Sequence, residues 1–171
     1  PQVMTKRGLM LENEFRYLNT ALGGLYSGEV RAEWLPNDNV RDGDNRYGIS
    51  WQHTQKTDNG FTADINYNRV SDDHYYTDLS SHIAKTSQTQ LLQQGVFSYS
   101  GGGWWNASVN LTSYQTLQPD LENPVQEPYK MLPQITINAR KPDFYRTDLS
   151  FLGQYTNFTK REQTINGTKI S

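Results

Sequence analysis

Two acidic clusters offer residue types and spacings that could do chemistry. The first is Asn37-Asp38-Asn39 followed by Asp42-Gly43-Asp44, which is oxygen-rich, as a calcium loop must be. An EF-hand loop begun at Asp38 needs a bidentate Glu at its twelfth position, and Ile49 stands there instead. A solvated hairpin loop is the preferred reading. The second cluster, Asp72-Asp73-His74 with Asp78, could also ligate a cation. The same residues suit a long external loop whose Asp side chains bond nearby backbone, and that reading is preferred. His53, His74 and His82 have no nucleophile at a readable spacing, and His53 falls beside Trp51, which suits an interfacial or packed ring. The chain has no cysteine, which removes disulfides, thiol catalysis and thiolate metal sites. No catalytic, cofactor-binding or metal-ligating residue is assigned, and an enzyme is not expected.

The elements that carry these residues follow from composition and periodicity. The 171 residues suit one domain. The formal net charge of −2 argues against a nucleic-acid-binding domain, which would show a basic surplus. Mean hydropathy is −0.81, and the longest apolar run is Leu9-Met10-Leu11, so no membrane-spanning helix is encoded. Pro1–Arg7 carries no apolar signal-peptide stretch. Yet 12% of the residues are aromatic, which fits disorder badly. Sparse, large apolar residues in a polar chain suggest apolar bands one residue deep, and hence a period of two.

That period is present. Leu9, Leu11, Phe15 and Tyr17 alternate with Met10, Glu12, Glu14 and Arg16; Tyr26, Val30 and Trp34 alternate with Glu29, Arg31 and Glu33. Tyr47, Ile49 and Trp51 oppose Gln52, and Ile65 and Tyr67 oppose Asp64. Similar runs over 88–99, 105–117, 131–141 and 147–158 bring the total to about eight strands of some ten residues. No helix is expected, and the polar tail 164–171 is expected to carry no strand. Short connections (19–24, 58–60, 100–104, 142–146) alternate with long ones (36–44, 71–87, 118–130). Transmembrane β-barrels alternate in this way, with strands of roughly 9–11 residues. The chain is therefore read as all-β, an antiparallel up-and-down sheet belonging to a transmembrane barrel. The barrel setting makes the sequons at Asn106, Asn110, Asn157 and Asn166 coincidental.

Pairing residues whose numbers sum to 43, 81 and 118 across the first three connections keeps every apolar face on one side. Leu11, Phe15, Tyr17, Tyr26, Val30, Trp34, Tyr47, Ile49, Trp51, Ile65 and Tyr67 are then expected to face lipid. Glu12, Glu14, Arg16, Glu29, Arg31, Glu33, Gln52 and Asp64 are expected to line the lumen. This register sets Tyr17 opposite Tyr26 and Glu14 opposite Glu29, the latter a like-charge pair that Arg16 and Arg31 would have to relieve diagonally. Pro128 and Pro133 bracket a strand start, where pairing should be interrupted.

Five stretches carry a resemblance. RGLMLENEFRYL (7–18), WLPND (34–38), YNRVSDDHYYTDLS (67–80), YQTL (114–117) and EPYKMLPQI (127–135) resemble, in order and spacing, the LptD family of outer-membrane lipopolysaccharide-assembly proteins, also described as organic-solvent-tolerance proteins. The resemblance covers most of the chain. It implies a very large barrel plugged from within by an LptE-like lipoprotein, which moves lipopolysaccharide to the outer leaflet through a lateral opening. It also implies a location in the bacterial outer membrane. The family's periplasmic domain, its cysteines and its gate strands have no counterpart in these residues, so 1–171 is expected to be early-to-middle barrel wall, unable to transport alone. The rival reading is a complete eight-stranded outer-membrane barrel with a structural or binding role.

Overall fold

Local backbone chemistry sets the tight turns. Leu22 and Gly23 both take left-handed angles (φ 54° and 70°), making a two-residue hairpin whose twist matches its flanking strands. Tyr145 and Arg146 do the same at φ 50° and 66°, without a glycine. Asp58-Asn59-Gly60 forms the expected three-residue turn, with Gly60 at φ 87°. A Cβ on Gly60 would also strike the backbone of Gly101, so the position needs glycine twice over.

The computed structural model describes residues 1–79, 81, 89–160, 163–165 and 168–170. His82 and Asn166 lie outside them. The strands are β1 (Gln2–Met4), β2 (Gly8–Ala21), β3 (Gly24–Asp38), β4 (Asp44–Thr57), β5 (Phe61–Val70), β6 (Gln90–Tyr99), β7 (Trp105–Thr116), β8 (Lys130–Phe144), β9 (Thr147–Thr159), β10 (Gln163–Ile165) and β11 (Thr168–Ile170). β1 to β9 form one nine-stranded sheet in sequence order, and each long strand is antiparallel to its neighbours. β10 and β11 form a separate two-stranded pair. The all-β, up-and-down expectation holds, with eight long strands. Among the described residues β9 has no second strand partner, so the sheet stays open.

Four expectations change. The first hairpin pairs Leu11 with Trp34 and Tyr17 with Gly28, a sum of 45 rather than 43, because β2 and β3 run on until only Leu22 and Gly23 are left to turn. A shift of two preserves the faces. Glu14 consequently meets Arg31, and Arg16 meets Glu29, so the feared like-charge pair is absent. The second connection shrinks to 39–43, since β3 and β4 continue to Asp38 and from Asp44. One turn of helix, α1 (Tyr75–Asp78), interrupts the third long connection, and β10 and β11 occupy the tail expected to lack strands. The other two tested registers stand, with Trp34 opposite Tyr47 and Trp51 opposite Tyr67. Around Pro133 the ladder to β9 skips between Met131 and Gln134, as a residue without an amide donor requires.

Because side chains alternate along each strand, the sheet has two unlike faces. One runs through Phe15, Val30, Trp51 and Tyr67, then Phe97, Val109, Ile135 and Tyr155. The other runs through Glu14, Arg31, Ser50 and Asn68, with Asn66, Gln94 and Thr112 alongside. A buried apolar cluster gathers at the end carrying the long connections: Met10, Leu35, Val70, Tyr75, Leu79, Leu91 and Leu117, with Met4 and Tyr76 packed against it.

Candidate functional site

The segment 71–79 does not project outward. It folds onto the polar face and is held there by three arginines and three aspartates. Asp38 closes β3, Arg41 sits in the 39–43 turn, Arg46 opens β4 and Arg7 precedes β2, so the strand ends set four of the six charges before the loop arrives. Arg46, 2% exposed, donates through Nε and Nη2 to both carboxylate oxygens of Asp72, at 2.9 and 2.8 Å. Its Nη1 reaches Asp38 at 3.2 Å and Asp78 at 3.0 Å. Arg7 Nη1 donates to Asp38 at 2.7 Å, and Arg41 Nη2 to Asp78 at 2.7 Å. The Val40 amide caps the other oxygen of Asp38 at 3.0 Å. Burying these charges would be costly singly; equal numbers of each sign and forked, bidentate geometry offset that cost.

Beneath this clamp lies a second contact. Tyr75 donates its hydroxyl to Glu33 at 2.8 Å and Ser81 donates to the same oxygen at 2.7 Å. The Arg46 guanidinium lies 5.6 Å from the Tyr75 ring centre, and the Tyr75 and Tyr76 rings meet edge to face. Burial alone would raise the Asp72 and Asp78 carboxyls. The Arg46 guanidinium and Ser71 hydroxyl at Asp72, and Arg41, Arg46 and Arg7 at Asp78, outweigh it and hold both below the usual carboxylate range. Burial and the Glu33 charge push Tyr76 up to about 12, and Tyr75 rises further for the same reasons.

Asp38 is fully buried rather than part of a solvated hairpin loop. Asp72 does bond nearby backbone, accepting the His74 amide at 3.1 Å, but it and Asp78 also pair with arginines, on a segment that is folded inward rather than external. Among the described residues no three acidic or histidine side chains converge to hold a metal ion. The sequence signal for the clamp was the set of arginines at 7, 41 and 46, each near a strand end beside the acids.

The other predicted site residues fall on two faces. Leu11, Phe15, Tyr17, Tyr26, Val30, Trp34, Tyr47, Ile49, Trp51, Ile65 and Tyr67 share the apolar face. There Tyr17 and His53 share a hydrogen bond at 2.7 Å, and Trp51 Nε1 donates to the Tyr17 hydroxyl at 3.1 Å. The Tyr17 ring lies over Gly28, where a Cβ would collide with it and with the Gln52 carbonyl. Glu12, Glu14, Arg16, Glu29, Arg31, Glu33, Gln52 and Asp64 share the polar face. Arg16 bridges Glu14 and Glu29 at 2.7 and 2.8 Å, and Arg31 bridges the same pair at 3.2 and 2.6 Å. Glu33 differs from this set in being covered by the folded loop, at 3% exposure.

Comparison with known proteins decides the family. The model of LPS transport system D, LptD, matches residues 44–171. The chain belongs to the LptD family. An LptD of Azoarcus sp. (strain BH72), named as an LPS-assembly protein, is 41% identical over 164 residues, taking in 95% of this chain and 20% of the relative. The LptD of Nitrosomonas eutropha is 40% identical over 163 residues, covering 93% of this chain and 22% of its own length. That of Shewanella oneidensis is 33% identical over 168 residues, covering 97% and 21%. The chain thus spans about one fifth of the LptD relatives it matches.

Proposed function

We propose that these residues form wall of an outer-membrane β-barrel that assembles lipopolysaccharide at the cell surface of a Gram-negative bacterium, without catalysing a reaction. The two-faced sheet carries this reading. Eight strands of ten to fifteen residues alternate apolar and polar side chains, as a lipid-facing wall around a wet lumen requires. The polar face suits a saccharide cargo. On β2 and β3 it is a charged ladder, and on β5 to β7 it is mainly amide and hydroxyl beside Asp64, with Gln94 bonded to Thr112 at 3.0 Å and Thr112 to Asn110 at 2.9 Å. Such groups exchange hydrogen bonds with sugar hydroxyls without demanding a charge. Membership of the LptD family supports lipopolysaccharide as the cargo and an LptE-like lipoprotein as the plug. The open edges support a larger parent barrel over a closed eight-stranded one, because an unpaired strand edge costs several kcal/mol in hydrocarbon.

In the full-length protein, a photo-crosslinking side chain at Val109 should capture lipid acyl chains, and one at Asn110 should capture lipopolysaccharide. Phospholipid capture from both positions, or from neither, overturns the assignment of faces.

A further inference from the structure

Across β2 to β9, the permanently charged side chains on the described apolar face include Arg69, Lys130 and Lys141; Lys130 opens β8 at the long-connection end, where it pairs with Glu127. Arg69 is next to last in β5, at the long-connection end; Lys141 lies near the end of β8, beside the Tyr145-Arg146 turn. Lys141 pairs with Leu149, and the neighbouring rung is Trp105, Ala139 and Phe151, so its place on the apolar face is set by the ladder. Its Nζ stands 5.8 Å from the Trp104 ring centre and 5.0 Å from that of Phe144. Trp104 is tethered to the strand by the Arg140 amide, which donates to its carbonyl at 2.7 Å. Together Trp104, Ala139, Lys141, Phe144, Leu149 and Phe151 border a groove of about 380 Å³. Among the described residues no carboxylate pairs with Lys141, although Asp143 and Asp148 are close in sequence.

We propose that this groove is a binding site for one glycerophospholipid of the leaflet at the short-turn end, its phosphate on Lys141 and the first carbons of its acyl chains against Leu149 and Phe151. The inference rests on the barrel reading above. A lone ammonium at the rim of an apolar band is left with the headgroup layer as its source of anions, and the phosphate is the anion every glycerophospholipid supplies there. The two rings hold the ammonium at that depth and are themselves suited to the interface. Charge complementarity and depth thus name the same occupant.

The test is native mass spectrometry of the full-length protein released from detergent micelles doped with phosphatidylglycerol, with diacylglycerol as the phosphate-free probe. Wild type should retain phosphatidylglycerol over diacylglycerol. K141Q should retain about five-fold less, the worth of one basic residue near a lipid surface, and K141R should restore retention. W104A should weaken retention while leaving the preference for phosphate. Equal phosphatidylglycerol retention by K141Q and wild type overturns the site. If Val109 still captures acyl chains in that case, the barrel reading survives and the site alone is lost. If Val109 captures none, both are lost.

Discussion

At the scale of single residues, Arg46 does the most. It is buried, and it is shared by Asp38, Asp72 and Asp78, so removing it strands the fully buried Asp38 and takes a partner from the half-buried Asp72 and Asp78. Arg46→Met should cost about 3–5 kcal/mol, read as lost hydrogen-exchange protection over 71–79 in the full-length protein. Tyr75→Phe removes one charge-assisted bond to Glu33 and should cost about 1.5–3 kcal/mol by the same measurement. The pH window follows from the signs. Asp72 and Asp78 are held below their ordinary values when folded, so their contribution is complete above about pH 4 and is lost as pH falls through the folded values. Tyr76 keeps its proton longer when folded, so its contribution is complete below pH 10.0 and is lost on the way to about 12. Loop protection should therefore be flat across neutral pH and fail at both extremes. A failure centred near neutrality would mean that some other group holds the loop.

At the scale of elements, the first hairpin shows what the pattern of residues can and cannot decide. Alternation of Leu11, Phe15 and Tyr17 with Glu12, Glu14 and Arg16 determines which side each residue takes, but sliding by two changes no face. Only the turn chooses between the two registers. Leu22-Gly23 looks unremarkable as sequence, since leucine rarely takes a left-handed angle, and the tight turn was therefore missed. Asp58-Asn59-Gly60, with the expected glycine, was legible. Residues 1–171 contain no cysteine, so no native thiol in this sheet competes with an engineered pair. Leu11→Cys with Trp34→Cys should crosslink efficiently, and Leu11→Cys with Ala32→Cys should not. The clamp was illegible for a different reason. Its members come from five places in the chain, and nothing local signals that residues 71–79 turn inward. The acids invited a metal reading because their partners, Arg7, Arg41 and Arg46, lie up to 71 positions away in the chain.

At the scale of the whole molecule, the two faces should respond unequally to the same substitution. Leu11→Arg or Val30→Arg should cost about 2–4 kcal/mol near the bilayer midplane, measured by refolding of the full-length protein into lipid. Glu29→Arg, on the face with Arg16 and Arg31, should be tolerated far better. Equal costs would mean that neither face meets lipid. The strictly sequential strand order has a kinetic consequence. Each long strand pairs with the one made just before it, so the sheet can zip up hairpin by hairpin, with little loop-closure entropy to overcome at any step. The clamp cannot join that sequence early. It needs Arg7, Asp38 and Arg46 already side by side before Asp72, Tyr75 and Asp78 have anything to meet. Closure of the loop is thus the latch that falls last on this part of the wall, and pulse-labelled exchange should find β2 to β5 protected while Tyr75 and its neighbours are still open.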